Sequence, residues 1–221
     1  MKKKQLLKKG LFITFEGPEG SGKSTHSRLI ADLLRREGFN VVFTREPGGT
    51  VVGDKIRGLL LDSKKIDMTP LTETLLFEAS RSELITEVIG PALRARKIVI
   101  CDRFNDATLA YQGYAGRIPI RDIKTIESVS MKGILPDLTI ILDIGADEGL
   151  KKISVHKRDR MESKKLSFHT RVRNGYLSLA RQDRKRIKVV RTMKRREDTL
   201  SAVQKEVLDV VQRYKRSSKR P

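Results

Sequence analysis

The sequence lacks the features that mark secreted, disulfide-stabilised and membrane-spanning proteins. It has no tryptophan and one cysteine, Cys101, in 221 residues, so no internal disulfide can form. A lone cysteine is typical of a reducing compartment, and we expect a cytoplasmic protein. No apolar run approaches the ~18 residues that a membrane span needs, so no membrane partner is expected. The first segment, MKKKQLLKKG, lacks the apolar stretch and small-residue cleavage site of a signal peptide.

Two kinds of cofactor site are also missing. The chain has three histidines, His26, His156 and His169, and their spacing with Cys101 does not fit a zinc site. The sequence lacks the G-x-G-x-x-G fingerprint of dinucleotide-binding proteins, which argues against a nicotinamide enzyme. Its apolar content of 38% is enough for a globular core, and its length fits one compact domain.

Acidic residues are scarce at both ends of the chain, which carries a formal net charge of +20. Residues 1–10 contain five lysines and no acid, and residues 151–221 contain 24 basic and 7 acidic side chains. Residues 11–150 are nearly neutral, with 18 basic and 20 acidic side chains. The basic ends invite a nucleic-acid interpretation. Because only three aromatic residues follow residue 150, however, we expect no specific nucleic-acid partner.

Strand-like apolar runs alternate with segments of helical length, which indicates βα units and an α/β fold with a parallel sheet. The predicted strands are 11–16, 41–44, 98–101, 138–142 and 187–190. The predicted helices are 23–37, 52–60, 71–93, 121–131, 149–155, 166–181 and 199–214. Pro70 suits the first turn of its helix, with Thr69 as the cap. We predict a single domain over 1–221, with a basic N-terminal extension at 1–10 and a frayed basic tail at 215–221.

A phosphate-binding loop follows the first predicted strand. The segment GPEGSGKST matches G-x-x-x-x-G-K-[ST] between an apolar run and a helical pattern, which is the context that this motif requires. Its glycines let backbone N–H groups converge on phosphate, Lys23 supplies charge to the β and γ phosphates, and Ser24 offers a hydroxyl to Mg²⁺. The predicted ATP-binding residues are Gly17, Pro18, Glu19, Gly20, Ser21, Gly22, Lys23, Ser24 and Thr25. The loop predicts ATP and Mg²⁺ and leaves the phosphoryl acceptor open.

Three further segments lie at predicted strand ends or on the helix between them, on the side where open parallel sheets bind ligands. They are TREPGGT (44–50), LLFEASRSEL (75–84) and CDRFNDATLAYQG (101–113). Arg103 can grip a phosphate through two parallel hydrogen bonds, and Asp102 can hold metal-bound water or orient that arginine. Phe77 and Arg81 share a helix face, where they could sandwich a nucleobase or, equally, form ordinary core and rim.

This ordered set of motifs resembles bacterial thymidylate kinases, the dTMP kinases. The resemblance covers residues 11 to about 181 and runs through FITFEGPEGSGKST, TREPGGT, IRGLLL, LLFEASR, CDRFNDATLAYQGYA, PDLTIILD and DRMES…FHTRVRNGYLSLA. It implies a three-layer α/β/α P-loop kinase fold with a five-stranded parallel sheet and a short lid at about 156–165. It also implies a homodimer that transfers the γ-phosphoryl group of Mg-ATP to dTMP, giving dTDP and ADP in dTTP biosynthesis.

The resemblance assigns roles to individual residues. The acceptor-binding residues that it implies are Arg45 and Arg57 beside the phosphate, Glu46 near the sugar, Phe77 stacked on thymine, Arg81 at its O4 atom, Gln112 at its N3 edge, and Thr108 and Tyr111 against the sugar and base. Arg103 would bridge the acceptor phosphate and the transferring group, with Glu19 close to the acceptor. Some relatives carry a P-loop arginine where this chain has Gly20, so the lid must supply that cation. The candidates are Arg158 and Arg160, and we favour Arg160.

Three departures from the family pattern keep other functions open. Phe104 replaces a usual tyrosine, Ala107 a usual serine, and Leu84 stands where histidine is common. The alternatives are a kinase for another nucleoside monophosphate, a P-loop ATPase that works on nucleic acid, and an inactive relative. Arg81 and Gln112 favour a thymine or uracil edge, whereas the 5-methyl group discriminates against dUMP by only ~1–3 kcal/mol.

Overall fold

The structure, a computed structural model, describes residue 5 and residues 7–62, 66–153 and 159–216. Parts of four predicted segments lie outside the described residues: 1–4 and 6 of the N-terminal extension, 154–155 of the predicted helix 149–155, 156–158 of the lid, and 217–221 of the tail. Arg158 is therefore outside the described part of the chain. No described helix is both long and apolar enough to cross a membrane.

Five parallel strands form the central sheet, in the order β2-β3-β1-β4-β5. They are β1 (Leu11–Glu16), β2 (Val41–Arg45), β3 (Ile98–Asp102), β4 (Leu138–Asp143) and β5 (Ile187–Arg191). The five predicted strands are confirmed, and four of them run one residue further at the carboxyl end than predicted. The central strand β1 is buried along its whole length, which explains its nearly continuous apolar sequence. The later strands lie on both sides of β1, with β2 and β3 on one side and β4 and β5 on the other. A crevice therefore opens beyond the carboxyl end of β1.

Helices cover both faces of the sheet, which confirms the three-layer prediction. They are α1 (Lys23–Arg36), α2 (Val51–Arg57), α3 (Pro70–Leu84), α4 (Gly90–Arg94), α5 (Asn105–Thr108), α6 (Ile120–Ser130), α7 (Ala146–Lys151), α8 (Leu166–Gln182) and α9 (Arg196–Arg216). π-Helical turns extend α2 through Gly58–Asp62, α3 through Ile85–Ile89 and α5 through Leu109–Ala115. The cap of α3 is as predicted, since the Thr69 hydroxyl accepts a hydrogen bond from the Thr72 N–H at 3.2 Å.

The helix formed by α5 and its π-helical extension is not in the sequence prediction. Leu109, Ala110, Tyr111 and Gln112 follow one another and are all buried, so the segment has no exposed face. A helix that is enclosed on all sides shows no amphipathic period, and this period is the signal on which a sequence prediction depends. The predicted helix 149–155 also differs, since α7 begins at Ala146 and ends at Lys151.

Candidate active site

The phosphate-binding loop connects β1 to α1 and leaves no room for a side chain at Gly20. This residue has φ of 69°, and a Cβ built there would lie 2.1 Å from the carbonyl oxygen of Gly149. A P-loop arginine at this position, as the resemblance allows in some relatives, is therefore incompatible with the backbone seen here. The α1 helix begins directly at Lys23, so its free N–H groups point into the crevice beyond β1.

Glu19 forms ion pairs with both Lys23, which is predicted to bind the donor phosphates, and Arg103, which is predicted to bridge acceptor and donor. Its carboxylate lies 3.4 Å from Lys23 Nζ and 2.8 Å from Arg103 Nη2, and it also accepts a hydrogen bond from the Tyr111 hydroxyl. Burial favours the neutral acid, but Arg103 and Lys23 outweigh it and lower the pKa of Glu19 to about 2. Two buried cations that share one carboxylate mark a place where anionic oxygen is strongly favoured.

Arg103 is held in one orientation by contacts from three parts of the chain. It donates hydrogen bonds to the Gly17 carbonyl at 3.2 Å and to the hydroxyls of Tyr176 at 3.1 Å and Tyr111 at 3.0 Å. Its backbone has a left-handed φ of 70°, which is unusual for a residue other than glycine. Burial lowers the pKa of the guanidinium, and Glu19 outweighs this effect and raises it. The charge is therefore permanent and its position is pre-organised.

The TREPGGT segment forms a tight corner at the end of β2. Gly48 and Gly49 have φ angles of 119° and 84°, in the range that side chains disfavour. The corner is tied to α2, because the Gly49 N–H donates to Asp54 Oδ1 at 3.2 Å and Arg45 lies 3.6 Å from the same carboxylate. Arg57 comes from the end of α2, so strand and helix together bring two arginines to the crevice.

A cavity of about 320 Å³ lies over the carboxyl ends of the strands. Predicted site residues that line it are Glu19, Lys23, Ser24, Arg45, Glu46, Arg57, Phe77, Asp102, Arg103, Thr108, Tyr111 and Gln112. Residues up to 143 positions apart in sequence, from Glu19 to Glu162, thus converge on one volume. The phosphate-binding loop and the predicted acceptor residues share this volume, as transfer between two bound nucleotides requires.

Arg81 is fully buried behind the cavity and does not line it. Its guanidinium pairs with the carboxylates of Glu46 and Glu78, lies 3.7 Å from Glu127, and donates to Thr108 Oγ1 at 2.6 Å. Glu46 and Thr108 line the cavity, so Arg81 positions two lining residues from below. The contact with thymine O4 that the resemblance implies is not offered by this conformation. Burial raises the pKa of Glu46 to about 7 despite the opposing charge of Arg81.

Arg160 also points away from the cavity. It forms an ion pair with Glu73 on α3 and donates from Nε to the Leu60 carbonyl at 2.9 Å. Glu73 accepts a second hydrogen bond from Gln112 Nε2 at 2.7 Å. The described part of the lid is therefore anchored to α2 and α3 through Arg160, whereas Asp159, Met161 and Glu162 line the cavity. The predicted role of Arg160 towards the transferring group requires it to leave Glu73.

The residues present fit the predicted Mg²⁺ ion in the chemistry of their donors. Ser24 and Asp102 both line the cavity, and Asp102 Oδ1 is a buried oxygen without a hydrogen-bond partner among the described residues. Mg²⁺ prefers such hard oxygen ligands and is usually held by one or two protein groups together with substrate phosphates. The described residues contain no cluster of three or more His, Cys, Asp or Glu side chains that could hold a metal ion.

Two of the departures from the family pattern lie outside the cavity. Phe104 and Leu84 are fully buried in one apolar cluster, where the Phe104 ring meets Phe12 edge to face at 4.9 Å between centroids. Because neither side chain lines the cavity, neither change removes a cavity-lining group. Ala107 alone of the three lines the cavity.

Sequence reasoning missed seven cavity-lining residues: Arg28, Pro47, Leu61, Ala107, Asp159, Met161 and Glu162. Asp159, Met161 and Glu162 belong to the predicted lid, for which the sequence prediction names only the arginines. Arg28 had a usable signal, since it stands four residues after Ser24 and shares its helix face.

Comparison with known proteins agrees with this geometry. The sequence model of a family described as thymidylate kinase matches residues 15–203. The thymidylate kinase of Thermoanaerobacter sp. strain X514 is 41% identical over 206 residues, with 93% of this chain and 99% of that protein covered. That of Roseiflexus castenholzii is 40% identical over 218 residues, covering 92% and 93%. The crystal structure of the Ehrlichia chaffeensis thymidylate kinase matches with a TM-score of 0.73 and 37% identity, covering 92% of this chain and 99% of the other. The chain therefore belongs to the thymidylate kinase family.

Proposed function

We propose that this chain transfers the γ-phosphoryl group of ATP to dTMP, giving dTDP and ADP. The observation that carries the proposal is the place of Arg103, which touches the phosphate-binding loop at Gly17 and the predicted acceptor segment at Tyr111. An arginine that spans both halves of one cavity can bind the acceptor phosphate and the transferring group at the same time. Phosphoryl transfer depends on such positioning and charge neutralisation more than on covalent chemistry.

On the donor side, the loop N–H groups and Lys23 would hold the β and γ phosphates. Mg²⁺, when bound with ATP near Ser24 and Asp102, supplies further positive charge to the phosphate oxygens. Arriving phosphates compete with Glu19 for Lys23 and Arg103, so Glu19 would turn towards the acceptor, where the resemblance places it. Burial, with the charge of Arg103, lowers the pKa of Lys23, and phosphate oxygens favour the charged ammonium.

On the acceptor side, Phe77 would stack on thymine while Gln112 reads its polar edge. Tyr111 and Thr108 would pack against the sugar and base, and Glu46 would face the sugar. Arg45 and Arg57 would hold the 5′-phosphate from the corner after β2. For Arg160 we propose a swing from Glu73 towards the γ-phosphate when the lid closes over ATP. The single buried cysteine, Cys101, supports a cytoplasmic setting for this small-molecule reaction.

A P-loop ATPase is the competing function from another class, and Lys23→Ala tests both. We expect the wild-type chain to release ADP from Mg-ATP only when dTMP is present. Loss of the Lys23 charge should lower that rate at least a hundredfold, because the β and γ phosphates lose their buried cation. A coupled assay of ADP release, with and without dTMP, gives the measurement. Release that does not depend on dTMP, or that responds to DNA, would favour the ATPase.

We further propose a homodimer that packs through α2 and α3. These neighbouring helices expose Val51, Val52, Leu71 and Leu75, with exposed fractions between 47% and 75%. Large exposed apolar side chains on adjacent helices mark interaction surfaces in soluble proteins. The resemblance supplies the expectation that the partner is a second copy.

Leu71→Glu combined with Leu75→Glu should convert the dimer into a monomer, because two carboxylates would have to be buried at the interface. Light scattering after gel filtration should give twice the chain mass of 25.1 kDa for the wild type and the single mass for the double variant. Val189→Glu is a matched control, since Val189 is also apolar and 43% exposed but lies on the edge strand β5, outside α2 and α3. A wild-type monomer would refute the dimer.

A further inference from the structure

Arg28 is a cavity-lining arginine to which neither the motifs nor the family resemblance assigns a role. It lies on α1 one turn after Ser24, so the two Cα atoms are separated by about 6 Å along the helix. Both side chains line the cavity. Arg28 therefore stands beside the phosphate-binding loop but beyond the first helical turn, where the donor phosphates meet backbone N–H groups.

The guanidinium of Arg28 is directed towards β2. Its central carbon lies 6.0 Å from the centre of the Phe43 ring. Phe43 and Arg45 are two residues apart on β2, so their side chains leave the same face of the strand. Arg28 and Arg45 thus approach the cavity from a helix and from a strand, on the acceptor side of the loop.

The charge of Arg28 has no counterpart in the described part of the chain. Lys23 and Arg103 share Glu19, and Arg45 lies near Asp54. The structure gives Arg28 no hydrogen bond or ion pair with any described residue, and its guanidinium lies over the Phe43 ring. A guanidinium that lines a cavity without a carboxylate partner can bind a phosphate in two parallel hydrogen bonds at no cost of breaking another pair.

We propose that Arg28 binds the 5′-phosphate of the acceptor nucleotide, as a further arginine beside Arg45 and Arg57. The inference rests on the proposed function, since it takes the acceptor to be dTMP. In this arrangement the acceptor phosphate is gripped from α1 as well as from the corner after β2. Arg28 has no hydrogen bond or ring contact with Phe77 or Gln112, the residues predicted to bind thymine, so we expect its substitution to affect binding of the phosphate alone.

Titration calorimetry without ATP tests this assignment with two ligands that differ only in the phosphate, dTMP and thymidine. Arg28→Met should raise the Kd for dTMP about tenfold and leave the Kd for thymidine unchanged. Arg28→Lys should recover part of the loss, because it keeps the charge without the fork. Arg35→Met is a matched control on the same helix, since Arg35 pairs with Asp32 instead and does not line the cavity.

Steady-state kinetics separate the acceptor role from a donor role. With Arg28→Met we expect a KM for dTMP about tenfold higher and a KM for ATP within twofold of the wild type. An unchanged Kd for dTMP, an equal loss for thymidine, or a raised KM for ATP would each overturn the assignment. Failure of the proposed function looks different, because wild-type protein would then not phosphorylate dTMP at all.

Discussion

Replacing Arg103 with methionine is expected to lower kcat for dTMP phosphorylation on the order of 10³-fold or more. An arginine that stabilises the charge on the transferring phosphoryl group contributes ~10³–10⁵ to the rate in related phosphoryl transfers. Methionine keeps most of the side-chain volume and removes the contacts with Gly17, Glu19, Tyr111 and Tyr176. Single-turnover measurement at saturating dTMP and Mg-ATP isolates the chemical step.

Two variants make this result specific to the guanidinium. Arg103→Lys keeps the charge but cannot bond two phosphate oxygens in parallel, so we expect it to recover only a small part of the rate. Arg117→Met controls for the unusual backbone, because Arg117 also has a left-handed φ, of 66°, but is exposed and outside the cavity. It should leave kcat unchanged. If Arg103→Met reacted at the wild-type rate, Arg103 would have no role in the chemical step.

Replacing Arg81 with methionine is expected to destabilise the fold by about 3–5 kcal/mol, because it removes the cation that pairs with a buried group of carboxylates. Arg81 contacts Glu46, Glu78 and Glu127, none of which is exposed by more than 7%. For a chain of this length such a loss corresponds to a fall in melting temperature of roughly 10 °C. Urea unfolding measures it, with Arg36→Met on the exposed face of α1 as the control.

The loss should grow with pH. Burial raises the pKa of Glu46 to about 7 and that of Glu127 to about 8, from an ordinary value of 4.5, while Arg81 opposes both shifts. A carboxyl whose pKa is raised by folding stabilises the fold fully below pH 4.5, and this contribution is lost as the pH rises through the folded pKa. Without Arg81 both pKa values rise further. The difference between variant and wild type should therefore be larger at pH 8.5 than at pH 6, and the opposite order would contradict this account of the cluster.

The same variant should weaken dTMP binding for a positional reason. Arg81 holds Glu46 and Thr108, both of which line the cavity, and it does not reach the cavity itself. The sequence resemblance placed Arg81 at the thymine O4 atom. In the structure the Arg81 guanidinium instead lies among three carboxylates. They come from positions up to 46 residues away in sequence. Such competition between distant partners leaves no local signal in the sequence.

Local sequence patterns determine much of the structure of this protein. The order of small and charged residues around Lys23 determines the phosphate-binding loop, since backbone φ and helix polarity depend on neighbouring residues only. Nearly continuous apolar runs determine the three central strands β3, β1 and β4, because a buried parallel sheet accepts little else. Phe77 and Gln112, which the family resemblance assigns to the acceptor, both line the cavity.

Only the tertiary structure decided where the long charged side chains go. Arg160 pairs with Glu73, Arg81 lies behind the cavity, and Arg28 lines it without a carboxylate partner among the described residues. An arginine can reach several partners from one backbone position, and its choice depends on which carboxylates the fold brings near and how deeply they are buried. The helix of α5 and its π-helical turns, enclosed on every side, likewise followed from packing rather than from any period in the sequence.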